Sequence, residues 1–392
     1  MEEVVLVRFG ELFLKSDPVR RRFMQVLGRN CTAALDAAEI DHRLEMHRDR
    51  ILIHTRNPAD AVQRVARVFG VVDASVCTLT DPTLPACGEA AVDLARHRLE
   101  PGMTFAVRAR RRQVSGFSSQ ELAAAVGAAI RDAIPGAAVD LDDPGYEVFV
   151  EARPFGGLVY DTRIPGPGGL PLGTQGPVLS LLSAGIDSPV ASWLVMHRGC
   201  PVVHLTFDAG RFQGEDVEGA VLRNHASLSR WCPGMQLDLL VADAEPFFDV
   251  LAQEITPRFR CVVCKRFMVR AGSMIARDEG VLALVTGENL GQVASQTLDN
   301  LAVIDRAATA PLLRPLITWD KNETVDIARR IGTFEKDPGD LGCRAVPVRP
   351  ATAATREAVE REEGKVDMEG LIRDLCRSIR RVRARDGGII GP

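Results

Sequence analysis

One short stretch limits this chain more than any other. The apolar run Val178-Leu179-Ser180-Leu181-Leu182 is followed by Ser183-Ala184-Gly185-Ile186-Asp187-Ser188, and then by Pro189-Val190-Ala191-Ser192-Trp193-Leu194-Val195. This reads as a buried strand, a tight polar loop and a helix with Pro189 at its first position, where a missing N–H costs nothing. A loop of small residues before a helix aims several backbone N–H groups at one point. The helix dipole adds positive potential there, so the turn suits a phosphate or pyrophosphate. The stretch has neither the Gly-x-x-x-x-Gly-Lys pattern of a P-loop nor the glycine pattern of a dinucleotide-binding turn. Ala184 stands where a glycine would give more freedom, at little cost unless the position needs positive φ. An ordinary strand-to-helix turn is the competing reading.

Around this turn, strand and helix patterns alternate. Residues 178–182, 202–207, 237–241 and 281–286 are strand candidates with helical patterns between them, which predicts a doubly wound parallel sheet with ligands at the carboxyl ends of its strands. Upstream, residues 165–177 hold so much proline and glycine that they read as a domain linker. Before that, strand 4–9, helix 19–35, strands 40–47 and 51–54, helix 58–68 and strand 71–78 give the β-α-β-β-α-β order of a ferredoxin-like domain. Helix 89–99, strand 104–112, helix 118–134 and strands 146–152 and 158–164 form a further α+β unit. Ser118 with Glu121 predicts a capping box. The expected divisions are 1–79, 80–168 and 177–392.

Composition bounds the function classes. With 46% hydrophobic and 26% charged residues over 392 positions, this is a globular chain. No apolar run approaches the roughly 18 residues of a spanning helix, so no membrane partner is expected. The acidic N-terminus enters a strand directly, unlike a signal peptide, and a cytoplasmic location follows. The net charge of −4 does not advertise nucleic-acid binding, but local clusters matter more than totals. Arg20, Arg21 and Arg22 form one cluster, and Arg108, Arg110, Arg111 and Arg112 another; each could be a solvated face. Only five basic residues are lysine: Lys15, Lys265, Lys321, Lys336 and Lys365. Nine cysteines is an odd number, and an intracellular chain more often uses such cysteines for metal or redox chemistry than for structural disulfides. Cys31, Cys77, Cys87, Cys200, Cys232 and Cys376 are scattered and read as inert thiols. Cys261-Val262-Val263-Cys264 and the distant Cys343 leave zinc, redox and cluster readings open.

The Ser183–Ser188 loop resembles the Ser-Gly-Gly-x-Asp-Ser signature of PP-loop ATP pyrophosphatases, with Ala184 as the departure. Three further segments make the likeness more specific. They are Leu6-Val7-Arg8-Phe9-Gly10-Glu11-Leu12-Phe13-Leu14-Lys15-Ser16, the run from Thr286-Gly287-Glu288-Asn289 through Gly291-Gln292-Val293-Ala294-Ser295-Gln296-Thr297-Leu298, and Leu313-Arg314-Pro315-Leu316-Ile317 with Asp320-Lys321. In this order, they resemble the ThiI-type tRNA 4-thiouridine synthetases. With no rhodanese domain expected, the likeness is to the rhodanese-less form with three cysteines seen in archaea.

The resemblance implies a ferredoxin-like domain, an RNA-binding THUMP domain and a PP-loop catalytic domain, acting on uridine 8 of tRNA. ATP would adenylate the C4 oxygen, and a sulfur nucleophile would then displace AMP. It places Ser183, Ala184, Gly185, Ile186, Asp187 and Ser188 on the ATP, with Thr286, Gly287, Gln292 and Gln296 near the nucleotide. Asp187 would act through Mg²⁺ and the phosphates, and Lys321 through phosphate or developing charge; a surface lysine is the plain alternative for Lys321. Cys261, Cys264 and Cys343 match the set that holds a 4Fe–4S cluster with one iron lacking a protein ligand. A Cys343 persulfide resolved by Cys261 or Cys264 is the rival, and structural zinc the plain alternative. Arg108, Arg110, Arg111 and Arg112 would contact RNA by shape, since 5% aromatic content leaves little for base stacking. Sulfide or a persulfide would donate sulfur, and family members often pair as homodimers. A small-molecule adenylating synthetase and a non-catalytic tRNA-binding protein remain as other classes.

Overall fold

The computed structural model describes residues 2–10, 16–100 and 102–391; of the N-terminal family segment, residues 11–15, Lys15 among them, lie outside the described residues. The chain divides between Gly168 and Gly169 into two compact units.

The first unit runs β1 (Glu2–Phe9), α1 (Asp17–Asp36), β2 (Arg43–Met46), β3 (Ile51–His54), α2 (Pro58–Val65), β4 (Val71–Thr80), α3 (Leu84–Arg96), β5 (Thr104–Arg111), α4 (Ser119–Ala133), β6 (Ala138–Val139), β7 (Tyr146–Arg153), β8 (Gly156–Tyr160) and β9 (Ile164–Pro165). The ferredoxin-like and following segments share one sheet of order β2-β3-β1-β4-β8-β7-β5-β6, with β9 on β4. The seam is antiparallel pairing of β4 with β8, Thr78 opposite Val159. Helix α3 lies so close over β8 that a Cβ on Gly157 would stand 2.7 Å from the Cys87 sulfur. Helix α3 begins before the expected residue 89 because Thr83 caps it, its hydroxyl accepting from the Ala86 N–H. The expected strand 158–164 breaks in two, and its tail pairs with Asp73 and Ala74. The capping box forms as expected, Ser118 Oγ accepting from the Glu121 N–H at 3.1 Å.

The second unit runs β10 (Val178–Leu181), α5 (Asp187–His197), β11 (Val202–Asp208), α6 (Val217–Ser229), β12 (Leu237–Asp243), α7 (Glu245–Glu254), α8 (Arg260–Asp278), β13 (Leu284–Val285), α9 (Leu298–Asp305), β14 (Leu312–Leu313), α10 (Lys321–Ile331), α11 (Arg356–Glu363), α12 (Met368–Arg377), β15 (Arg380–Arg385) and β16 (Gly388–Gly391). Its sheet has the order β14-β13-β10-β11-β12-β15-β16. The first five strands are parallel and the last two antiparallel. The chain leaves β10 for β11 on one side and later returns to β13 on the other. Strand order therefore reverses at β10, and the crevice at its carboxyl end is the natural ligand site of such a sheet. Helix α8 anchors that end. Phe267 stacks on Phe247 at 3.6 Å, and buried Arg266 donates to Glu363 at 2.6 and 3.0 Å. Burying an apolar side chain of this size contributes about 1.5–3 kcal/mol. Among the described residues no helix is long and apolar enough to cross a membrane.

Candidate active site

Helix α5 starts at Asp187, so Pro189 is its third residue and not its first as the pattern suggested. Proline is still tolerated, because the first four N–H groups of a helix have no acceptor within it. The loop before it is braced from inside. The Ser183 N–H donates to Ser188 Oγ at 2.8 Å, the two hydroxyls lie 2.9 Å apart, and the Gly185 N–H reaches Ser183 Oγ at 3.3 Å. Asn224 on α6 donates to the Ser183 carbonyl at 3.2 Å. Beneath, Ser180 and Ser192 bridge β10 to α5 at 2.8 Å. Ala184 is absent from the residues with positive φ, so its methyl carries no backbone strain. Ser183 and Gly185 are exposed, Ala184 and Ile186 half-buried.

Three residues far apart in sequence meet at this turn. Lys321 Nζ donates to Asp187 Oδ1 at 2.7 Å, and Gln292 Nε2 donates to Asp187 Oδ2 at 3.0 Å. Lys321 is the first residue of α10, whose start is fixed by the Asp320–Glu323 capping box. Gly287 lies against the same turn, where a Cβ would stand 2.6 Å from the Ser188 nitrogen. No side chain fits there without displacing backbone. Thr286 is buried and donates to Glu288 Oε2 at 3.1 Å. Gln296 is buried, and its Oε1 has no hydrogen-bond partner among the described residues. The arrangement offers a helix N-terminus, a carboxylate that can face a cation, and an ammonium that can turn to an anion. Mg²⁺ is commonly held by one or two carboxylates plus substrate phosphates, and Asp187 suits that role.

The three cysteines line a single cavity of about 500 Å³ with Phe248, Leu251, Met268 and Val346 on its walls. Cys261 and Cys264 share one face at the start of α8. Cys343 arrives on an exposed loop pinned to residues 212–214: the Gly214 N–H donates to the Gly342 carbonyl at 2.9 Å and the Arg344 N–H to the Phe212 carbonyl at 2.8 Å. Burial pushes the Cys264 thiol well up, the neighbouring Cys343 and Cys261 sulfurs push it further, and Lys265 opposes them. Burial also raises Cys261. Among the described residues no three His, Cys, Asp or Glu side chains already stand in a metal-holding group. The donor set nevertheless suits a soft metal centre: three thiols, apolar walls and two cations, Arg260 and Lys265, with protons that metal binding would release. Elsewhere burial raises the thiols of Cys31 and Cys232 to about 12 and Cys87 to about 11, as inert packing thiols should be.

Sequence reasoning passed over the side chains that join these parts. Glu288 is buried, accepts from Lys265 Nζ at 2.8 Å and from Arg314 Nε at 2.7 Å, and stays below the ordinary carboxylate range. Burial pushes its pKa up, but the Lys265 and Arg314 charges outweigh that. The available signal was a carboxylate just beyond an apolar strand, which needs a cation once buried.

The chain matches three family models: "Thiamine biosynthesis protein (ThiI)" over residues 173–368, "ThiI ferredoxin-like domain" over 4–75, and "THUMP domain" over 83–158. It is 36% identical over 381 residues to the probable tRNA sulfurtransferase of Methanothermobacter thermautotrophicus, covering 96% of each chain. It is 40% identical over 364 residues to that of Halobacterium salinarum, covering 92% of each. The chain belongs to the ThiI family of tRNA sulfurtransferases. A solved ThiI-like structure, a 4-thiouridine synthetase–RNA complex with bound ATP, superposes with a TM-score of 0.85 at 29% identity, over 98% of this chain and 100% of that one. The expected α/β architecture, with a PP-loop sheet behind ferredoxin-like and THUMP segments, is thereby borne out.

Within the THUMP segment of this ThiI-family chain, the four arginines are not equivalent. Arg108 donates to Glu147 at 2.6 Å and to the Leu141 carbonyl at 3.0 Å. Arg111 donates to the Val114 carbonyl, and Arg112 to Asp49 at 2.8 Å. Arg110 is exposed and has no ion pair among the described residues.

Proposed function

We infer that this protein converts uridine 8 of tRNA to 4-thiouridine, in the cytoplasm, using ATP. The reading rests on one observation above all: Asp187 is clamped between Lys321 and Gln292 at the amino end of α5, where a nucleotide phosphate is best received. The uridine C4 oxygen attacks the α-phosphorus of ATP and pyrophosphate leaves. The loop of Ser183, Ala184, Gly185, Ile186 and Ser188 receives the phosphates, with Thr286, Gly287, Gln292 and Gln296 beside the nucleotide. The unpartnered Gln296 Oε1 supports that placement. Asp187 would hold Mg²⁺, and Lys321 turns from the carboxylate to the departing charge. Hydrosulfide then forms the C4–S bond and gives up its proton, while the C4–O bond breaks and the oxygen leaves with AMP. No net oxidation occurs in that step.

Cys261, Cys264 and Cys343 are the residues that would hold a 4Fe–4S cluster. Bound there, such a cluster supplies an iron open to an external sulfur ligand, since proteins that close their clusters use four ligands. A persulfide on Cys343 is the second reading, favoured by that residue's exposure beside two more buried thiols. Arg110, with Arg108, Arg111 and Arg112 in support, grips RNA backbone.

Anaerobic incubation with tRNA, ATP, Mg²⁺ and sulfide, followed by mass analysis of the nucleosides, tests the reaction. The expected outcome is 4-thiouridine at position 8 with pyrophosphate release that needs tRNA; turnover without tRNA would point to a small-molecule synthetase instead. Iron and sulfide content of protein prepared anaerobically, compared with Cys261→Ala, Cys264→Ala and Cys343→Ala, separates the two sulfur routes. The cluster reading requires each variant to lose iron.

A further inference from the structure

Residues 286–296 touch both halves of the site. Gly287 is pressed on the backbone of Asp187 and Ser188, and Gln292 bonds the Asp187 carboxylate. Within the same stretch Val293, Ala294 and Ser295 form a wall of the thiol cavity. Glu288 holds the ammonium of Lys265 at 2.8 Å, and Lys265 follows Cys264 and lines that cavity. Lys265 is one of only five lysines in a chain whose cations are otherwise arginine. Arg314 and Thr286 bond the other carboxylate oxygen, so Glu288 is held in place beside Lys265.

We propose that Lys265, fixed by Glu288, is a positioning residue that keeps a positive charge facing the thiol cavity and so draws anionic sulfur to the side of the adenylated base. This rests on the reading that the cavity handles sulfur. An ammonium on a free four-carbon stem would spend its time in water. Tied to a buried carboxylate, it stays where an incoming hydrosulfide or a thiolate gains from it. The tie also links nucleotide and sulfur sites through one short segment, so a shift of the 286–292 backbone on nucleotide binding reaches the cavity directly.

Lys265 is partly exposed, with 30% of its side chain open, so Lys265→Gln should fold. Its metal-free form is treated with a dicarboxylate aromatic disulfide and with a neutral dipyridyl disulfide, and labelling of Cys261 and Cys264 is followed by mass mapping. The anionic-to-neutral rate ratio should fall about fivefold, the size of a partly screened charge interaction, and Lys265→Arg should hold it near wild type. Glu288→Gln, which leaves the lysine in place but untied, should lower the ratio as well. In turnover, 4-thiouridine formed per pyrophosphate released should fall about tenfold in Lys265→Gln, because only the second step meets that charge. An unchanged reagent ratio, or an unchanged product-to-pyrophosphate ratio, overturns the proposal. Wild-type protein that makes no 4-thiouridine overturns the functional reading alone, and the reagent ratio still judges Lys265.

Discussion

Two carboxylates organise this molecule, and they do opposite things. Glu151 in the first unit is 1% exposed and accepts from Arg50, Arg153 and the Tyr160 hydroxyl. Arg8 stacks on Tyr160 nearby, held by Asp73 and Ser75. Asp187 in the second unit is also held by two side chains, yet it is 22% exposed and its lysine partner 44%. A network sealed by protein atoms has nothing left to offer a ligand. It fastens β1 and the β2–β3 turn to β7 and β8, and so the ferredoxin-like segment to the THUMP segment. A network with an open side can exchange a protein partner for a substrate atom at little cost. Charge alone therefore does not mark a site; charge that can change partners does.

Removing each carboxylate should separate the two. Asp187→Ala is expected to lower tRNA-dependent pyrophosphate release and 4-thiouridine yield by about 10³-fold, the scale of losing a group that stabilises transition-state charge. Its thermal unfolding should stay close to wild type, since the aspartate is partly exposed. A variant that thiolates normally would leave Asp187 as a mere helix-start residue.

Glu151→Gln should do the reverse: full turnover per folded molecule, and a loss of about 3 kcal/mol in stability, because three guanidinium groups lose their buried counter-charge. Burial pushes the Glu151 pKa up, but Arg50, Arg153 and Arg8 bring it below the ordinary range. Its contribution is thus complete above the unfolded carboxylate value of about 4.3 and fades as pH falls through the lower folded value. Urea unfolding at several pH values should show a constant gap between wild type and variant above pH ~5 that narrows in acid. A gap that widens in acid would contradict the assignment.

The contrast also explains what could be seen in the sequence. Strands and most helices were legible because their apolar spacing is local, and so was the loop at 183–188. Boundaries slipped where a cap decided them, as at Thr83, or where tertiary pairing did, as where Ile164 and Pro165 join β4. The segment expected as a free linker is tied down in part, the Gly168 N–H to Val71 and the Leu170 N–H to His197. Motif residues such as Asp187 and Cys343 stood out by their neighbours. Glu288 with Lys265 did not, because a buried ion pair between distant positions has no periodicity. Glu151 was invisible for the same reason: an acid within the Tyr146–Arg153 strand reads as a solvent-facing position until Arg8 and Arg50 arrive from distant positions to join Arg153 on the same strand.

The smallest effect sharpens the comparison within the first unit itself. Arg110 at the end of β5 and Arg112 just beyond it are near neighbours, but Arg112 already serves Asp49, which also holds Arg153 at 2.9 Å. Arg110 has no such duty. For Arg110→Ala, tRNA affinity measured across a salt series should weaken a few-fold, and the slope of log affinity against log salt should drop by about one, because one fewer phosphate is neutralised by the protein. Arg112→Ala should change that slope by less and instead cost stability, within the roughly 0–1 kcal/mol of an exposed ion pair. Equal slopes for the two variants would mean that the Asp49 pair opens for RNA. Arg112 would then belong with Asp187, as a charge that changes partners, and not with Glu151.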